Sequence, residues 1–557
     1  MRGGYQVRHC GLMNVTVWPR RVIVPASGEG SPAAARLPAS VVLALILAGG
    51  LQRWWAAAHA IGTLSSDGAV IGLMALRLLH HGQLTAYMWG QSYGGSLEAV
   101  AAAAAFAVSG AGTSQLLATT ALSSGLCALA LWWAGRPIVG ERAAQLGALM
   151  FWVWPASFLW RSIKPGGTYM IGLAIALCAV GALARIRRGQ ASWDWCALAG
   201  ALCGLALWSS PMSLELLVPT GLWLVPALRR AGWRALALAG GAITGGLPLL
   251  VFGATHDWTN LHMPGYNADL LTGVLSRLRQ FFPVEAPIAM GVRVEGSLAW
   301  VGGYLGMVLA VAAAVALLGV ARAVLAGRAP RCVLPVLTLA ALPALYALNP
   351  LADNIGQGRY ALFAVPMAAL LLGLGCEQAG LLAQRRAAAR ARPGQPQSLT
   401  LRHQLVPRLA WTAGLALACA LGSAGLAEEP GRVLTAYPAP DVPMPASDSA
   451  LRTLLADHDI THAYAPYWMA YRITFETGGR TLATPYDFDR YPPIAGAVQA
   501  SPHPAYLFVS ASGTVSSFEA WCRGHGLRYQ AWHLGAFTVV QPAASVRPAA
   551  VPHAAVF

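Results

Sequence analysis

Charged residues are scarce in this 557-residue sequence: Asp, Glu, Lys and Arg together make up 11%, against about 25% in soluble proteins. Lysine occurs once, as Lys164, so arginine carries almost all of the basic charge. The nine cysteines include no Cys-x-x-Cys pair and no Cys/His spacing typical of zinc ligands. These absences argue against a soluble enzyme, a structural zinc site and a disulfide framework.

Hydrophobic residues, by contrast, make up 56% of the chain. Apolar runs of roughly 17 to 25 residues, each long enough to cross a bilayer, recur over the first ~430 positions. The sequence therefore predicts a mainly α, polytopic bundle of about eleven transmembrane helices. We place them at about 37–57, 113–134, 143–160, 168–186, 193–208, 211–228, 233–253, 298–321, 332–348, 360–380 and 409–427.

The distribution of arginine predicts how this bundle is oriented. With the N-terminus inside, the arginines collect in the inner loops, as expected of cytoplasmic loops in a multi-pass protein of the inner (plasma) membrane. The net charge of +16 is therefore assigned to these loops and not to nucleic-acid binding. We predict a cytoplasmic tail over 1–36, a membrane domain over 37–427 with a first external loop at 58–112, and an extracytoplasmic domain over 428–557.

The last 130 residues have a different pattern from the rest. Short apolar runs alternate with proline, aspartate and histidine, which indicates a small α/β domain. Helices are predicted over 449–457 and 517–525. Strands are predicted at Tyr464, 481–484, 506–510 and 537–541.

The first external loop concentrates the residues best suited to chemistry. Two short helical patterns, 70–79 and 97–108, are expected to lie along the membrane interface. Asp67 precedes the first pattern, and Glu98 lies at the start of the second. A fixed carboxylate such as Asp67 can act as general base toward an acceptor hydroxyl. Trp89, Gln91 and Tyr93 suit a sugar, and Glu98 is a further candidate for binding its hydroxyls. The alternative is structural: Asp67 as the N-cap of the first helix, and Glu98 as a first-turn acid favoured by the helix dipole.

Basic residues on the outer side form the second candidate set. Arg161 and Lys164 follow one predicted span, and Arg359 and Tyr360 precede another. They either anchor helix ends at the headgroups or bind a lipid phosphate, whose oxygens an arginine fork contacts at two points.

Two further clusters are less specific. His256, Asp257, His262 and Asp269 share a polar loop, but their spacing matches no metal-ligand pattern, so no metal or other cofactor is indicated. The aromatic segment 464–472 either packs the C-terminal domain against the membrane part or lines an acceptor groove, and packing is favoured.

The first-loop sequence resembles that of bacterial membrane glycosyltransferases of the GT-C superfamily, in particular the protein mannosyltransferase-like (family 39-like) branch. The resemblance is carried by Ser66-Asp67-Gly68, by Gly72-Leu73-Met74-Ala75 and by the run from Gly90 to Ala99. Gly358-Arg359-Tyr360 resembles a motif that opens a late span in these proteins, and 467–472 resembles the outer domain of some members.

The resemblance implies an external active site and a sugar donor on a polyprenyl phosphate. It further implies Asp67 as catalytic base and arginines that neutralise the lipid phosphate. Many relatives carry a second acid directly after the aspartate, where this chain has Gly68; the departure argues against a two-carboxylate or metal-assisted site. The acceptor, a glycan, lipid or protein, is left open, and the remaining partner is membrane lipid.

Two other classes stay open from the sequence. A transporter or lipid-sugar flippase would also be polytopic, but transporters place ionisable residues near the bilayer midplane, whereas polar groups here collect on one side. A non-catalytic scaffold with a ligand-binding outer domain would account for 428–557 but not for the first-loop motif.

Overall fold

The computed structural model describes residues 37–59, 64–261, 270–295, 297–349, 352, 356, 358–389, 398–428, 447–486 and 488–552. Its helices are α1 Ala39–His59, α2 Ser66–His81, α3 Leu97–Ser109, α4 Thr113–Val139, α5 Glu141–Val153, α6 Ala156–Arg161, α7 Met170–Arg187, α8 Trp193–Ser209, α9 Leu214–Ala231, α10 Arg234–Gly245, α11 Leu247–Thr255, α12 Leu270–Gln280, α13 Ala286–Ala289, α14 Tyr304–Leu325, α15 Val333–Leu348, α16 Val365–Ala389, α17 Ser398–Glu428, α18 Ser449–Asp457, α19 Tyr467–Glu476, α20 Pro492–Ala500 and α21 Thr514–Gly524. The strands are β1 His462–Ala465, β2 Leu482–Pro485, β3 Ala505–Val509, β4 Tyr529–Leu534 and β5 Phe537–Pro542.

The predicted polytopic helical architecture is confirmed. Within the described residues eight helices are long and apolar enough to cross a membrane, and α10 with α11 makes a ninth if their 58° bend lies within one span. The spanning window of α14 has no buried residue. A helix that is apolar on all sides and packs against so little protein requires an apolar surrounding, which lipid supplies.

Two of the predicted spans are shorter than expected. The run 143–160 is divided at Trp154-Pro155 into α5 and the six-residue α6, because proline lacks the N–H that would continue the helix. The run 193–208 forms α8, whose 17 residues reach about 26 Å. The predicted span 233–253 is the bent pair α10 and α11.

Glycines allow α8 and α10 to pack at very short range. A Cβ on Gly200 or Gly204 would lie 2.0 or 2.1 Å from backbone oxygens of α10, and one on Gly241 or Gly245 would lie 2.0 or 1.9 Å from those of α8. Each helix thus carries two glycines four residues apart on the contact face. This small-residue spacing is a common mode of helix association in membranes, where van der Waals packing replaces the hydrophobic effect.

The C-terminal region contains the predicted α/β structure, with one five-stranded sheet in the order β2-β1-β3-β5-β4. Strands β2, β1 and β3 are parallel, with Ala463 opposite Ala483 and Ala505. Strand β5 runs antiparallel to β3, and β4 antiparallel to β5. The predicted helices and strands are present here, but α19, α20 and β4 were not predicted, since their burial depends on neighbours distant in sequence.

The first-loop helices and the C-terminal sheet share one hydrophobic core. Buried residues of α2 and α3, including Met74 and Phe106, belong to the same cluster as Phe475, Tyr506 and Phe518 of the C-terminal region. A separate, larger cluster fills the interior of the helical bundle. The shared core fixes the position of the first loop relative to the sheet, and this decides the geometry of the site.

Candidate active site around Asp67

Helix α2 places Asp67 at the surface of the first loop. The N-cap of α2 is Ser65, whose hydroxyl accepts a hydrogen bond from Gly68 N at 3.4 Å, and Asp67 lies in the first helical turn. The alternative that Asp67 is the N-cap is therefore wrong, since the cap lies two residues earlier. The side chain of Asp67 is 34% exposed.

One oxygen of the Asp67 carboxylate is held by two donors from the C-terminal region. Arg490 Nη2 donates to Asp67 Oδ1 at 2.9 Å, and the hydroxyl of Tyr467 donates to the same oxygen. Among the described residues nothing donates to Oδ2. One carboxylate oxygen is therefore fixed in place while the other stays available to a reactant.

Arg490 is the centre of this arrangement, and its side chain is only 8% exposed. Its Nε donates to the hydroxyl of Tyr467, and its Nη1 donates to the carbonyl oxygen of Trp89 at 3.3 Å. With the amide oxygen of Gln91 facing it, Arg490 donates to that oxygen from Nη1 at 2.8 Å and from Nη2 at 3.2 Å. These contacts engage all five N–H groups of the guanidinium.

Tyr467 is kept in its neutral form as a donor. Burial raises the pKa of its phenol far above the ordinary value, the charge of Asp67 raises it further, and Arg490 opposes the shift without reversing it. The pKa of Arg490 is lowered by burial but raised more strongly by Asp67 and Tyr467 together, so that it too lies above its ordinary value. The arginine is a permanent cation and the tyrosine a permanent O–H donor at neutral pH.

A second contact between α2 and α19 lies next to Asp67. The hydroxyl of Ser66, which is completely buried, donates to the carbonyl oxygen of Tyr467 and accepts from Tyr471 N at 3.2 Å. The hydroxyl of Tyr471 in turn accepts from the backbone N–H of Arg490 at 2.8 Å. Because the backbone on both sides is tied in this way, Tyr467 and Arg490 approach Asp67 from a rigid framework.

The aromatic and amide residues predicted to bind a sugar surround the same site. Gln91 contacts Arg490, and the indole of Trp89 stacks on Tyr491 with ring centroids 3.8 Å apart. Since Trp89 is only 8% exposed and one face is covered, its main visible role is in packing. Burial raises the pKa of Tyr93, Tyr169 raises it further, and Arg490 and Arg359 oppose the shift.

The predicted basic residues divide into two kinds. Arg161 forms a buried ion pair with Glu295, their side chains being 9% and 3% exposed. Its charge is therefore compensated inside the protein by Glu295, which was not predicted as a site residue. Lys164 lies 5.5 Å from the centre of the Trp160 ring.

Arg359 is the better candidate for an anion. Its Nε is buried and has no hydrogen-bond partner among the described residues, and its guanidinium lies 4.7 Å from the centre of the Tyr360 ring. Tyr360 itself is 7% exposed and part of the bundle core. The carboxylate of Glu285 accepts from Gly358 N at 2.9 Å and from Gly356 N, which fixes the backbone that leads to Arg359.

Glu98 has an internal role. Its carboxylate, 4% exposed, accepts from Thr120 Oγ1 at 2.8 Å, from Gly166 N at 3.3 Å and from Gly167 N. It is in the first turn of α3, as expected, and it holds the segment after Lys164 against the first loop. The predicted contact with a substrate hydroxyl stays a prediction; what the geometry supplies is a fixed loop between Lys164 and α7.

Burial raises the pKa of the Glu98 carboxyl above its ordinary 4.5, while the hydrogen bonds from Thr120 and the two glycines oppose the shift. A raised folded-state pKa gives stability that is complete below pH 4.5 and lost as the pH rises through the folded pKa. We expect the Tm of the wild type minus that of Glu98→Gln to fall as the pH is raised from 4.5 to 7, by about 1 °C per kcal/mol lost in a chain of 557 residues. Thermal unfolding in detergent at several pH values measures it.

Thr120→Val is the control for this prediction. It keeps the titrating carboxyl but removes a donor that opposes the rise of its pKa, so its Tm should fall with pH at least as steeply as that of the wild type. A wild-type minus Glu98→Gln difference that is constant with pH would contradict the assignment.

The polar loop in which no metal site was predicted is described only in part, at His256 and Asp257. His262 and Asp269 lie outside the described residues. Within the part of the chain that the structure describes, no group of three His, Cys, Asp or Glu side chains is placed to hold a metal ion.

Arg490 and Glu295 were not predicted from the sequence as residues of the site. For Arg490 a signal existed, since Asp489-Arg490-Tyr491 follows the predicted strand 481–484, and loops after the carboxyl ends of parallel strands often carry functional residues. For Glu295 there was none, because its partner Arg161 is 134 residues away.

Comparison with known proteins identifies the fold. No family model matches the sequence, and no curated protein does. Among solved structures, ArnT from Cupriavidus metallidurans bound to undecaprenyl phosphate is similar, with 14% identity, TM-score 0.59, and coverage of 91% of this chain and 99% of that one. The apo form of the same protein gives 14% identity, TM-score 0.57, and coverage of 91% and 98%.

A more distant likeness is to the archaeal oligosaccharyltransferase AglB from Archaeoglobus fulgidus, with 13% identity, TM-score 0.44, and coverage of 84% of this chain and 69% of that one. The likeness to ArnT extends over nearly the whole of both chains. This chain therefore has the GT-C fold that its sequence predicted, with the small C-terminal sheet. The family 39-like branch stays a prediction.

Proposed function

We propose that this protein is a membrane glycosyltransferase that transfers a sugar from a polyprenyl-phosphate donor to an acceptor hydroxyl on the outer face of the plasma membrane. The observation that carries the proposal is the Asp67 carboxylate, with Oδ1 held by Arg490 and Tyr467 and Oδ2 open. The fold supports it, since ArnT, of similar fold, has been crystallised with undecaprenyl phosphate.

In the proposed reaction, Asp67 Oδ2 accepts the proton of the acceptor hydroxyl as its oxygen attacks the anomeric carbon. The bond between that carbon and the phosphate oxygen breaks, and polyprenyl phosphate leaves with the electron pair. Attack in line with the leaving group inverts the anomeric centre. Charge develops on the leaving phosphate, so a cation placed beside it lowers the barrier.

Arg359 is the residue we assign to that phosphate. Its buried Nε, which has no hydrogen-bond partner among the described residues, supports the role. Arg161 is a weaker candidate, because the buried carboxylate of Glu295 already neutralises it. Lys164 and Tyr93 remain proposed contacts for the donor, and Gln91 and Trp89 for the sugar.

The decisive experiment is turnover by purified full-length protein in detergent or nanodiscs with a panel of polyprenyl-phosphate sugars. Release of free polyprenyl phosphate by the wild type supports the enzyme class and identifies the sugar. If no donor is consumed while labelled solute or lipid crosses proteoliposomes, the transporter class is favoured instead.

Substitution of Arg359 tests the phosphate contact. We expect Arg359→Gln to weaken binding of undecaprenyl phosphate by about 10- to 100-fold, the range for a lost hydrogen bond to a charged group. The Kd is measured by thermophoresis or by competition against the donor. Arg528→Gln, which removes an exposed arginine of the C-terminal region, is the matched control and should bind normally. Equal affinity of wild type and Arg359→Gln would remove Arg359 from the phosphate site.

A further inference from the structure

The C-terminal sheet presents one particular edge to Asp67. Strands β1 and β2 are parallel neighbours, with Ala465 opposite Pro485 at their carboxyl ends. Tyr467 follows β1 by two residues, and Arg490 follows β2 by five. Both donors to Asp67 therefore lie at the carboxyl edge of the parallel strands, Tyr467 as the first residue of α19 and Arg490 in the loop before α20.

This edge is also where the strand order changes direction. From β1 the chain moves to β2 on one side, and from β2 it crosses to β3 on the other side of β1. In open α/β sheets ligands bind outside the carboxyl ends of the strands at such a point. Here that place is filled by the first loop, with Asp67 and Trp89 in contact with Arg490.

The first loop and the C-terminal region approach each other very closely at Gly90 and Arg490. Gly90 has φ +68°, and a Cβ there would lie 2.7 Å from the Cα of Arg490. Because the guanidinium of Arg490 spends all five N–H groups on Asp67, Gln91, Trp89 and Tyr467, none is left for a phosphate. Arg490 therefore holds the Asp67 carboxylate in place.

We infer that the C-terminal region completes the catalytic site: Arg490, with Tyr467, is a positioning residue that fixes Asp67 Oδ1 so that Oδ2 faces the acceptor hydroxyl. This inference rests on the proposed function and assigns a role to the C-terminal region within it. A carboxylate anchored through one oxygen keeps its orientation during the reaction, and a misplacement of about 1 Å costs on the order of 10²-fold in rate.

The test compares kcat, donor KM and lipid-phosphate affinity in Arg490→Gln and the wild type. We expect kcat to fall about 10²-fold while the donor KM and the Kd for undecaprenyl phosphate stay within about threefold. A phosphate ligand would behave in the opposite way and weaken the Kd, as expected for Arg359→Gln. Combining Arg490→Gln with Asp67→Asn should cost nothing beyond Asp67→Asn alone, since Arg490 acts through Asp67.

Tyr467→Phe keeps the test valid if Arg490→Gln does not fold. It removes one hydroxyl and keeps the ring, and we expect kcat to fall about fivefold to tenfold at unchanged Kd. Normal kcat in a folded Arg490→Gln or in Tyr467→Phe, or a weaker Kd, would overturn the inference while leaving the proposed function intact. Absence of turnover by the wild type with any donor would instead overturn the proposed function, and the positioning role with it.

Discussion

Asp67→Asn is expected to reduce release of polyprenyl phosphate by about 10²- to 10⁴-fold, the contribution of a positioned general base. The amide keeps the shape of the side chain, and its oxygen can still accept from Arg490 and Tyr467. At the position of Oδ2, however, it carries an NH₂ group that cannot accept a proton. Single-turnover assays with the preferred donor measure the loss.

The fold should tolerate this change. Loss of the charge costs about 0.3–1 kcal/mol in the first turn of α2, and the weaker contact with the buried Arg490 adds about 1.5–3 kcal/mol, so the Tm should fall by a few degrees. The matched control is Asp457→Asn, the same substitution at an exposed position at the end of α18, which should keep full turnover. Near-normal turnover by Asp67→Asn would rule out its role as base.

Gly90→Ala is expected to lower turnover by about 10²-fold without touching a reacting group, because a small displacement of a positioned group has that effect. The new Cβ would lie 2.7 Å from Arg490 Cα, a backbone atom that cannot move aside as a side chain can. The first loop must therefore shift away from Arg490, which displaces Asp67 and Gln91 from their contacts with the Arg490 guanidinium. The loss is measured as kcat, together with the Tm.

Gly82→Ala separates this effect from simple backbone strain. Gly82 has φ +65°, nearly the same as Gly90, but a Cβ there meets no atom within 4 Å. Both variants carry the cost of a left-handed alanine, about 1–2 kcal/mol, but only in Gly90→Ala does the new Cβ collide with the C-terminal region. Equal activity in the two variants would show that the close contact with Arg490 is unimportant for turnover.

The membrane architecture was readable from the sequence because its cause is local. Whether a segment spans the membrane depends on the free energy of transferring its own roughly 20 consecutive residues from water to lipid, independently of the other segments. One prediction failed for a local reason, since Pro155 divides an apolar run. Another failed where neighbouring helices matter, since α10 and α11 bend at Gly246, next to Gly204 of α8.

The first-loop half of the site was also predicted. Asp67, Gln91 and Tyr93 lie close in sequence and share a motif that resembles a family, so they could be singled out together. The pairing of Asp67 with Arg490 and Tyr467, however, could not be predicted from the sequence. Arg490 is 423 residues from Asp67, and Tyr467 is 400 residues away, and neither belongs to a periodic pattern.

Composition, periodicity and the first-loop motif thus suffice to predict a helical bundle in a membrane, an α/β C-terminal region and Asp67 as the candidate base. Only the three-dimensional contacts show which groups bind that carboxylate, that Glu98 lies in the interior and that Arg161 pairs with Glu295. The physical reason is that span formation depends on the composition of one segment, whereas a charged contact depends on which loops a shared core brings together. Here the core formed by α2, α3 and the sheet places the carboxyl edge of β1 and β2 on Asp67.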